Sequence, residues 1–379
     1  MADRRSAERE GWSTSSGRAV TSRALTFIVP GRIDTRTGGY EYDRRMIAGL
    51  RDRGWTVDVR ELDDSFPEPT PSALADAEAT LAVVAGGTIV AIDGLAYSAM
   101  PAVVERHRSR VSIVPIVHAL IASEVGIDRA TAGRRAEDER RAFECAARIV
   151  VAGSALIEPL AGYGIERSRI AIVTPGVDRA PLAHGSRDSD DIHLVTVATL
   201  NRGKGHDLLL SALSRLADRR WRLTCAGSAE RNPDTAARLR SMLTDLQLGD
   251  RVTFAGELDA AHIAALYESA DVFVLPTLSE THPLAVQEAL ARGLPVVSTV
   301  TGAIPDLVGR GDDAAGLLAQ PGDVDALADA LEKVIDNGCL RARLAENARR
   351  VRDRLPTWED AVRVMDSLMV SLSNQERGA

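Results

Sequence analysis

Residues 270–300, ADVFVLPTLSETHPLAVQEALARGLPVVSTV, read as a buried strand, a polar loop, a helix and a second strand. The apolar run 272–275 carries the chain to a sheet edge, Pro283 suits the first turn of a helix, and Gly293 with Pro295 closes it. Glu280 then falls in the loop, and Glu288 one to two turns inside the helix. In an open parallel sheet, ligands bind beyond the carboxyl ends of the strands, where helix N-termini present unpaired N–H groups to anions. Two carboxylates at such a place can hold a polyhydroxylated ligand.

The same alternation runs outward from this segment. Strand-like runs at 24–29, 56–62, 81–84, 89–92, 111–117, 149–152 and 170–173 form one series, and runs at 193–199, 221–226, 252–254, 272–275 and 295–298 form another. Helical patterns, among them 207–219 and 323–336, separate them. Such alternation implies an α/β chain with parallel sheets wrapped by helices. Between the two series lies RAPLAHGSRDSDD at 179–191, whose Pro, Gly, Ser and Asp read as a linker. The expected architecture is two doubly wound, Rossmann-like domains facing a central cleft, at 24–180 and 192–355, joined by a linker at 181–191. In the final segment, 356–379, a helix at 358–372 sets Val362, Met365, Leu368, Met369 and Leu372 at helical spacing.

At 379 residues the chain exceeds what one ordinary core needs, and 45% hydrophobic content is normal for a globular protein. A net charge of −8 argues against general nucleic-acid binding. Residues 1–185 hold 24 Arg and no Lys against 25 acids, so the excess acidity lies in the second half. Cys145, Cys225 and Cys339 are odd in number, widely spaced and set among apolar residues. That pattern fits buried reduced thiols better than a disulfide framework or zinc site, and gives a cytoplasmic expectation. Residues 1–23 are polar and charged with no apolar core, which reads as a disordered leader rather than a secretory signal. The longest apolar run, 81–92, is too short to span a bilayer. Peripheral contact at the inner membrane face stays open.

The 270–300 segment resembles the Glu-x7-Glu signature of the retaining family 4 glycosyltransferases of the GT-B fold. The likeness extends over nearly the whole chain, through PGRIDTRTGGY at 30–40, IVPIVH at 113–118, VVAGSAL at 150–156, VTPGVD at 173–178, VATLNRGKGHDLLLSAL at 197–213 and FAGELDAAHIAALYESAD at 254–271. It implies an acceptor-binding N-terminal domain, a donor-binding C-terminal domain, and a last helix that returns to the first. It also implies transfer of a sugar from a nucleoside diphosphate sugar, with no metal or other cofactor, to the hydroxyl of a saccharide, lipid or small metabolite.

Each site role then follows by resemblance. Lys204 would offset diphosphate charge, and as one of two lysines beside 44 arginines it is an unusual choice for a generic cation. In that family an arginine commonly stands five residues before the lysine or beside it, where this chain has Thr199 and Gly203. Arg202 is the candidate replacement, with a surface arginine as its alternative. Gly38 and Gly39 would let backbone N–H groups approach a diphosphate or acceptor. Glu288 would hold the ribose, with a helix-surface ion pair to Arg292 as the alternative. Glu280, Thr281, His282, Pro283 and Leu284 would line the sugar site, the THP at 281–283 standing where many relatives have Gly-Phe. His118, at the end of an apolar strand, would lie close to the anomeric centre.

His107, His184 and His262 read as structural or solvated, and His206 as the start of a helix. Asp188-Ser189-Asp190 and Asp323-Val324-Asp325 have a metal-binding spacing, but sit in the linker and at a helix start. The stretch 129–141 alternates charge signs and reads as an exposed helix, or as a surface for an anionic acceptor or membrane. Two other functions fit the same residues: a nucleotide-sugar epimerase or hydrolase, and a non-catalytic nucleotide-sugar-binding protein.

Overall fold

The apolar runs become the strands of two parallel sheets. The computed structural model describes residues 23–186 and 189–375, so the expected leader lies, save Arg23, outside the described residues. The first sheet comprises β1 (Ala24–Pro30), β2 (Thr56–Leu62), β3 (Ile89–Asp93), β4 (Ser112–Val117), β5 (Ile149–Val151) and β6 (Ile170–Ile172), in the order β2-β1-β3-β4-β5-β6. The second comprises β7 (Ile192–Val197), β8 (Trp221–Ala226), β9 (Val252–Gly256), β10 (Val272–Leu275), β11 (Val296–Thr299) and β12 (Gly316–Ala319), in the order β12-β11-β10-β7-β8-β9. Every pairing is parallel, as with Ala24 against Thr56 and Phe273 against Val296.

Every residue of β3, β4, β10 and β11 is buried, as expected of central parallel strands covered on both faces. Each sheet carries apolar packing on its two sides. The helix Trp358–Gln375 packs on the first sheet's side, where Met365, Met369 and Leu372 join Phe27, Tyr42 and Met46. It crosses the helix Gly38–Asp52 so closely that a Cβ on Gly49 would fall 2.4 Å from Val362 Cγ2, and Trp55 Nε1 donates to Asp366 at 2.7 Å. Strand order reverses between β1 and β3 in one sheet and between β7 and β10 in the other. At such switch points, loops leaving neighbouring strands part to opposite faces and open a crevice.

Several expectations are corrected. Residues 81–84 are not a strand: Thr70 caps a helix, Pro71–Ala82, by accepting from Ala73 N at 3.1 Å, and the apolar run is its end. Leu81 is buried there while Val83 is 72% exposed, the mark of a helix end rather than a two-sided strand. The strand β12 goes unread in the sequence: it opens on a glycine, and its two leucines are only half-buried. The 129–141 stretch is helical, within Arg129–Glu144, but only partly exposed. Arg135 is buried and bonds Glu124, Glu68 and the carbonyl of Ile121, and buried Glu139 accepts from Ile121 N at 2.7 Å and Tyr163 Oη at 2.8 Å. Of the cysteines, all free, only Cys225 is buried; Cys145 is half-buried and Cys339 exposed on a helix.

Asp188 lies outside the described residues; Asp190 pairs with Arg220 at 2.8 Å, and Asp323 caps the helix Val324–Asp336 through Ala326 N. His107 is buried against Glu78 rather than solvated. No described helix is long and apolar enough to cross a membrane.

Candidate active site

The loop after β7 is shaped to aim one lysine. Asn201 accepts from Lys204 N at 3.1 Å, which folds 202–204 into a single tight turn. Gly205 ends it in the left-handed region at φ +70°, where a Cβ would fall 2.0 Å from the carbonyl oxygen of Pro276. Only glycine fits there. The loop is stitched to the one after β10, since Thr277 Oγ1 and Leu278 N both donate to Gly203 O, at 2.9 and 2.7 Å. Lys204 thereby reaches Glu280, with Nζ 2.6 Å from Oε2 and both side chains largely covered. Gly205→Ala is expected to destabilise the chain by about 3 kcal/mol, from positive-φ strain and backbone overlap. Chemical denaturation with unchanged stability would refute the fit.

Glu280 is held from behind. Gly302, at φ +53°, lies so near that a Cβ would come within 1.9 Å of Glu280 O, and Ala303 N donates to Thr281 O at 3.1 Å. His282 Nε2 bonds Gln287 Oε1 at 2.9 Å, and burial favours its neutral form. Gln287 in turn donates to Pro175 O of the first domain at 3.1 Å. Pro283 is extended and precedes the helix Leu284–Ala291 rather than joining its first turn. A Cβ on Gly38 would meet Leu284 Cδ1 at 3.5 Å, and one on Gly153 would meet Thr281 O at 3.5 Å. The 281–287 segment is therefore the surface on which first-domain loops rest.

Glu288 is half-buried on the 284–291 helix and accepts from Tyr267 Oη at 3.0 Å. Desolvation lifts its carboxyl above the usual range, with Tyr267 and Arg292 opposing. The ion-pair alternative gives way to another arrangement: Arg292 donates to the carbonyl of Glu288 at 3.0 Å and lies over the Tyr267 ring at 4.6 Å. Glu288 lines a cavity of about 60 Å³ together with Arg45, Asp178 and Trp358. That volume holds a few waters at most.

Arg202 turns elsewhere. It lines a cavity of about 480 Å³ between the domains, with Glu124, Gly126, Asn232 and Arg238, and its Cδ would meet a Cβ on Gly126 at 2.9 Å. Lys204 and Arg202, one tight turn apart, thus serve different spaces. His206 does begin a helix, His206–Ser214, and is buried with neither ring nitrogen hydrogen-bonded among the described residues; burial, then Lys204, push it down to about 4, so it adds no charge.

In the first domain, Gly38 and Gly39 open the helix Gly38–Asp52, and a Cβ on Gly39 would press on His118 Cδ2 at 3.1 Å. The half-buried His118 ring lies beneath this glycine, its Nε2 3.2 Å from Asp43 Oδ1 and 3.6 Å from Asp93 Oδ2. Both acids escaped the sequence reading. The usable signal was position: Asp93 ends β3 as His118 follows β4, and Asp43 lies one turn past Gly39. Tyr267, which supports Glu288, was missed for want of any local mark.

The family model described as glycosyl transferases group 1 matches residues 183–351. D-inositol 3-phosphate glycosyltransferase of Paenarthrobacter aurescens is 30% identical over 286 residues, covering 68% of this chain and 69% of that protein. The chain belongs to the group 1 glycosyl transferases. The D-inositol 3-phosphate glycosyltransferases of Pseudarthrobacter chlorophenolicus and Mycolicibacterium smegmatis are 32% and 30% identical, over 57% and 63% of this chain. Those two matches span about half of each relative's length, 54% and 55%. Sucrose-phosphate synthase from Thermosynechococcus elongatus superposes with TM-score 0.79 at 22% identity, over 92% of this chain and 99% of that one. Anabaena HepE, in complex with UDP and glucose, gives 0.74 at 17% identity over 91% and 99%. These similarities show the fold, which is GT-B.

Proposed function

We propose that this chain is a retaining, metal-independent glycosyltransferase that moves a sugar from a nucleoside diphosphate sugar to an acceptor hydroxyl. The observation that carries the reading is the Lys204–Glu280 pair at the switch point of the second sheet, across the cleft from Gly38 and Gly39 at the switch point of the first and from the His118 ring that lies against Gly39. Lys204 offsets the charge that grows on the departing diphosphate, and Glu280 holds the lysine in place until the donor enters. Glu288 accepts from the two ribose hydroxyls, and the 281–284 backbone borders the sugar. Because the cavity at Glu288 is so small, the domains part to admit a nucleotide and close again over it.

The larger cavity suits the acceptor. Arg238 is engaged by Asp207 at 2.8 Å and Glu124 by Arg135 at 2.6 Å, which leaves Arg202 the cation available to an anionic substituent there. The D-inositol 3-phosphate named for the relatives is such an acceptor, and HepE's UDP makes uridine diphosphate sugars the first donors to try. Free thiols, one of them exposed, suit a reducing cytoplasm. The epimerase, hydrolase and non-catalytic readings are not favoured, since the matching relatives are named as transferases.

The test is a product analysis with paired donors and acceptors in the presence of EDTA. A glycoside whose anomeric configuration, read by nuclear magnetic resonance, equals the donor's supports the proposal. An inverted centre rejects retention, a rate lost to EDTA rejects metal independence, and free sugar or an epimer formed without acceptor rejects transfer.

A further inference from the structure

We propose that Asp43 and Asp93 are positioning residues for the transfer: one from the helix that follows β1 and one from the end of β3, they hold Nε2 of His118 beneath Gly39 and favour the charged form of the ring on the first-domain side of the cleft. The proposal rests on the transferase reading above.

The grip is built from three elements. Asp93 ends β3, and its Oδ1 is spent capping the next helix through Leu95 N at 2.7 Å, which leaves Oδ2 for the ring. Asp43 comes from the helix Gly38–Asp52; its Oδ1 reaches the ring at 3.2 Å, while its buried Oδ2 has no hydrogen-bond partner among the described residues. His118 follows β4, and its other ring nitrogen makes no hydrogen bond among the described residues. The ring nitrogen and one oxygen of each carboxylate lie within 4.8 Å of one another, the one such grouping of His, Cys, Asp and Glu among the described residues.

Two fully buried carboxylates side by side are costly when both are ionised. The imidazolium proton offsets one of them. The other, Asp93, is pushed up to about 7, by burial first and by Asp43 second, so its own proton has the orphan Oδ2 of Asp43 as a natural acceptor. Burial alone would discharge the ring, but Asp43 and then Asp93 outweigh it and raise His118 above the usual histidine value. The remaining titratable neighbours are Tyr40 and Tyr42, on the same helix as Asp43, both raised by burial and committed to the carbonyls of Pro30 and Val173. Arg231 acts on Tyr40 from the second domain. A favoured imidazolium contributes stability that is present at acidic pH and lost as pH rises through the ring's folded-state midpoint.

The experiment follows the seven histidines of the intact chain by nuclear magnetic resonance against pH, with His118 assigned from the His118→Gln spectrum. The wild-type midpoint is expected above the ordinary value of about 6.5, and Asp43→Asn is expected to lower it by about one unit. In the transfer assay Asp43→Asn is expected to reduce kcat about tenfold, to leave the donor KM unchanged, and to move the alkaline limb of the pH profile downward. Asp93→Asn, which imitates the protonated acid and keeps the Leu95 cap, is expected to cost about threefold less. A wild-type midpoint at or below the ordinary value overturns the proposal, as does an unmoved midpoint in folded Asp43→Asn. Should that variant fail to fold, the wild-type and Asp93→Asn midpoints decide. The resonance readout needs no sugar transfer, so failure of the enzyme reading and failure of this one are separable.

Discussion

Lys204→Ala is expected to lower kcat by about a thousandfold, measured at saturating donor, with secondary structure and melting retained. The lysine is a charged group that both loops of the second switch point help to place. Asn201, Gly205 and Thr277 shape the turn that aims it, and Glu280 meets it at 2.6 Å. A cation so fixed needs little reorganisation when the diphosphate leaves, which is where most of its effect on rate arises. Its effect on stability is smaller. The pair retains some solvent, 27% of the lysine side chain and 12% of the glutamate, so the orphaned Glu280 costs about 1–2 kcal/mol rather than the penalty of a fully buried charge. Adding Glu280→Gln should restore that stability without restoring the rate. A Lys204→Ala enzyme that keeps more than a tenth of wild-type turnover would remove the lysine from the phosphate site.

Glu288→Ala is expected to weaken donor binding about a hundredfold, the loss of two charge-assisted hydrogen bonds to a vicinal diol. The carboxylate is already desolvated and oriented by Tyr267, so little ordering is left to do when ribose arrives. Tyr267→Phe removes that brace and should weaken binding by a few-fold, about 1 kcal/mol. Because burial raises the carboxyl of Glu288, donor affinity in the wild type should fall as pH drops through that raised value. Glu288→Gln should bind weakly at every pH and lose the acid limb. Titration calorimetry with the nucleoside diphosphate reads both effects; equal affinity in wild type and Glu288→Ala would place the ribose elsewhere.

Much of the architecture is legible because parallel strands covered on both faces must be continuously apolar. Runs such as 89–92 and 272–275 stand out from their polar flanks and coincide with β3 and β10, whereas the edge strand β2, TVDVREL, carries charged residues and is mostly exposed. The run 81–84 misleads because an apolar helix end and a short buried strand share a composition; the cap at Thr70 and the alanine-rich stretch that follows it were the better guide. The site is only partly legible for a different reason. Glu280, Glu288, Lys204 and the Gly38-Gly39 pair sit in local patterns. The meaning of Asp43 and Asp93 arises only when the helix after β1 meets the ends of β3 and β4, and no local spacing encodes that. The direction of Arg202 is likewise set by Gly126 of the other domain, distant in sequence. The i,i+4 spacing of Glu288 and Arg292 suggests a pair that Tyr267 redirects, by offering one a hydroxyl and the other a ring face.

The most direct measurement is a thermal-shift comparison of wild type and Glu288→Ala with UDP, GDP, ADP and NAD, since a ligand at about a hundredfold excess over its Kd stabilises the folded state by about 2.7 kcal/mol. One nucleoside diphosphate is expected to raise the wild-type melting temperature and to leave the variant nearly unmoved, with NAD inactive on both. No shift with any nucleoside diphosphate, or the same shift in both proteins, would contradict the donor site described here.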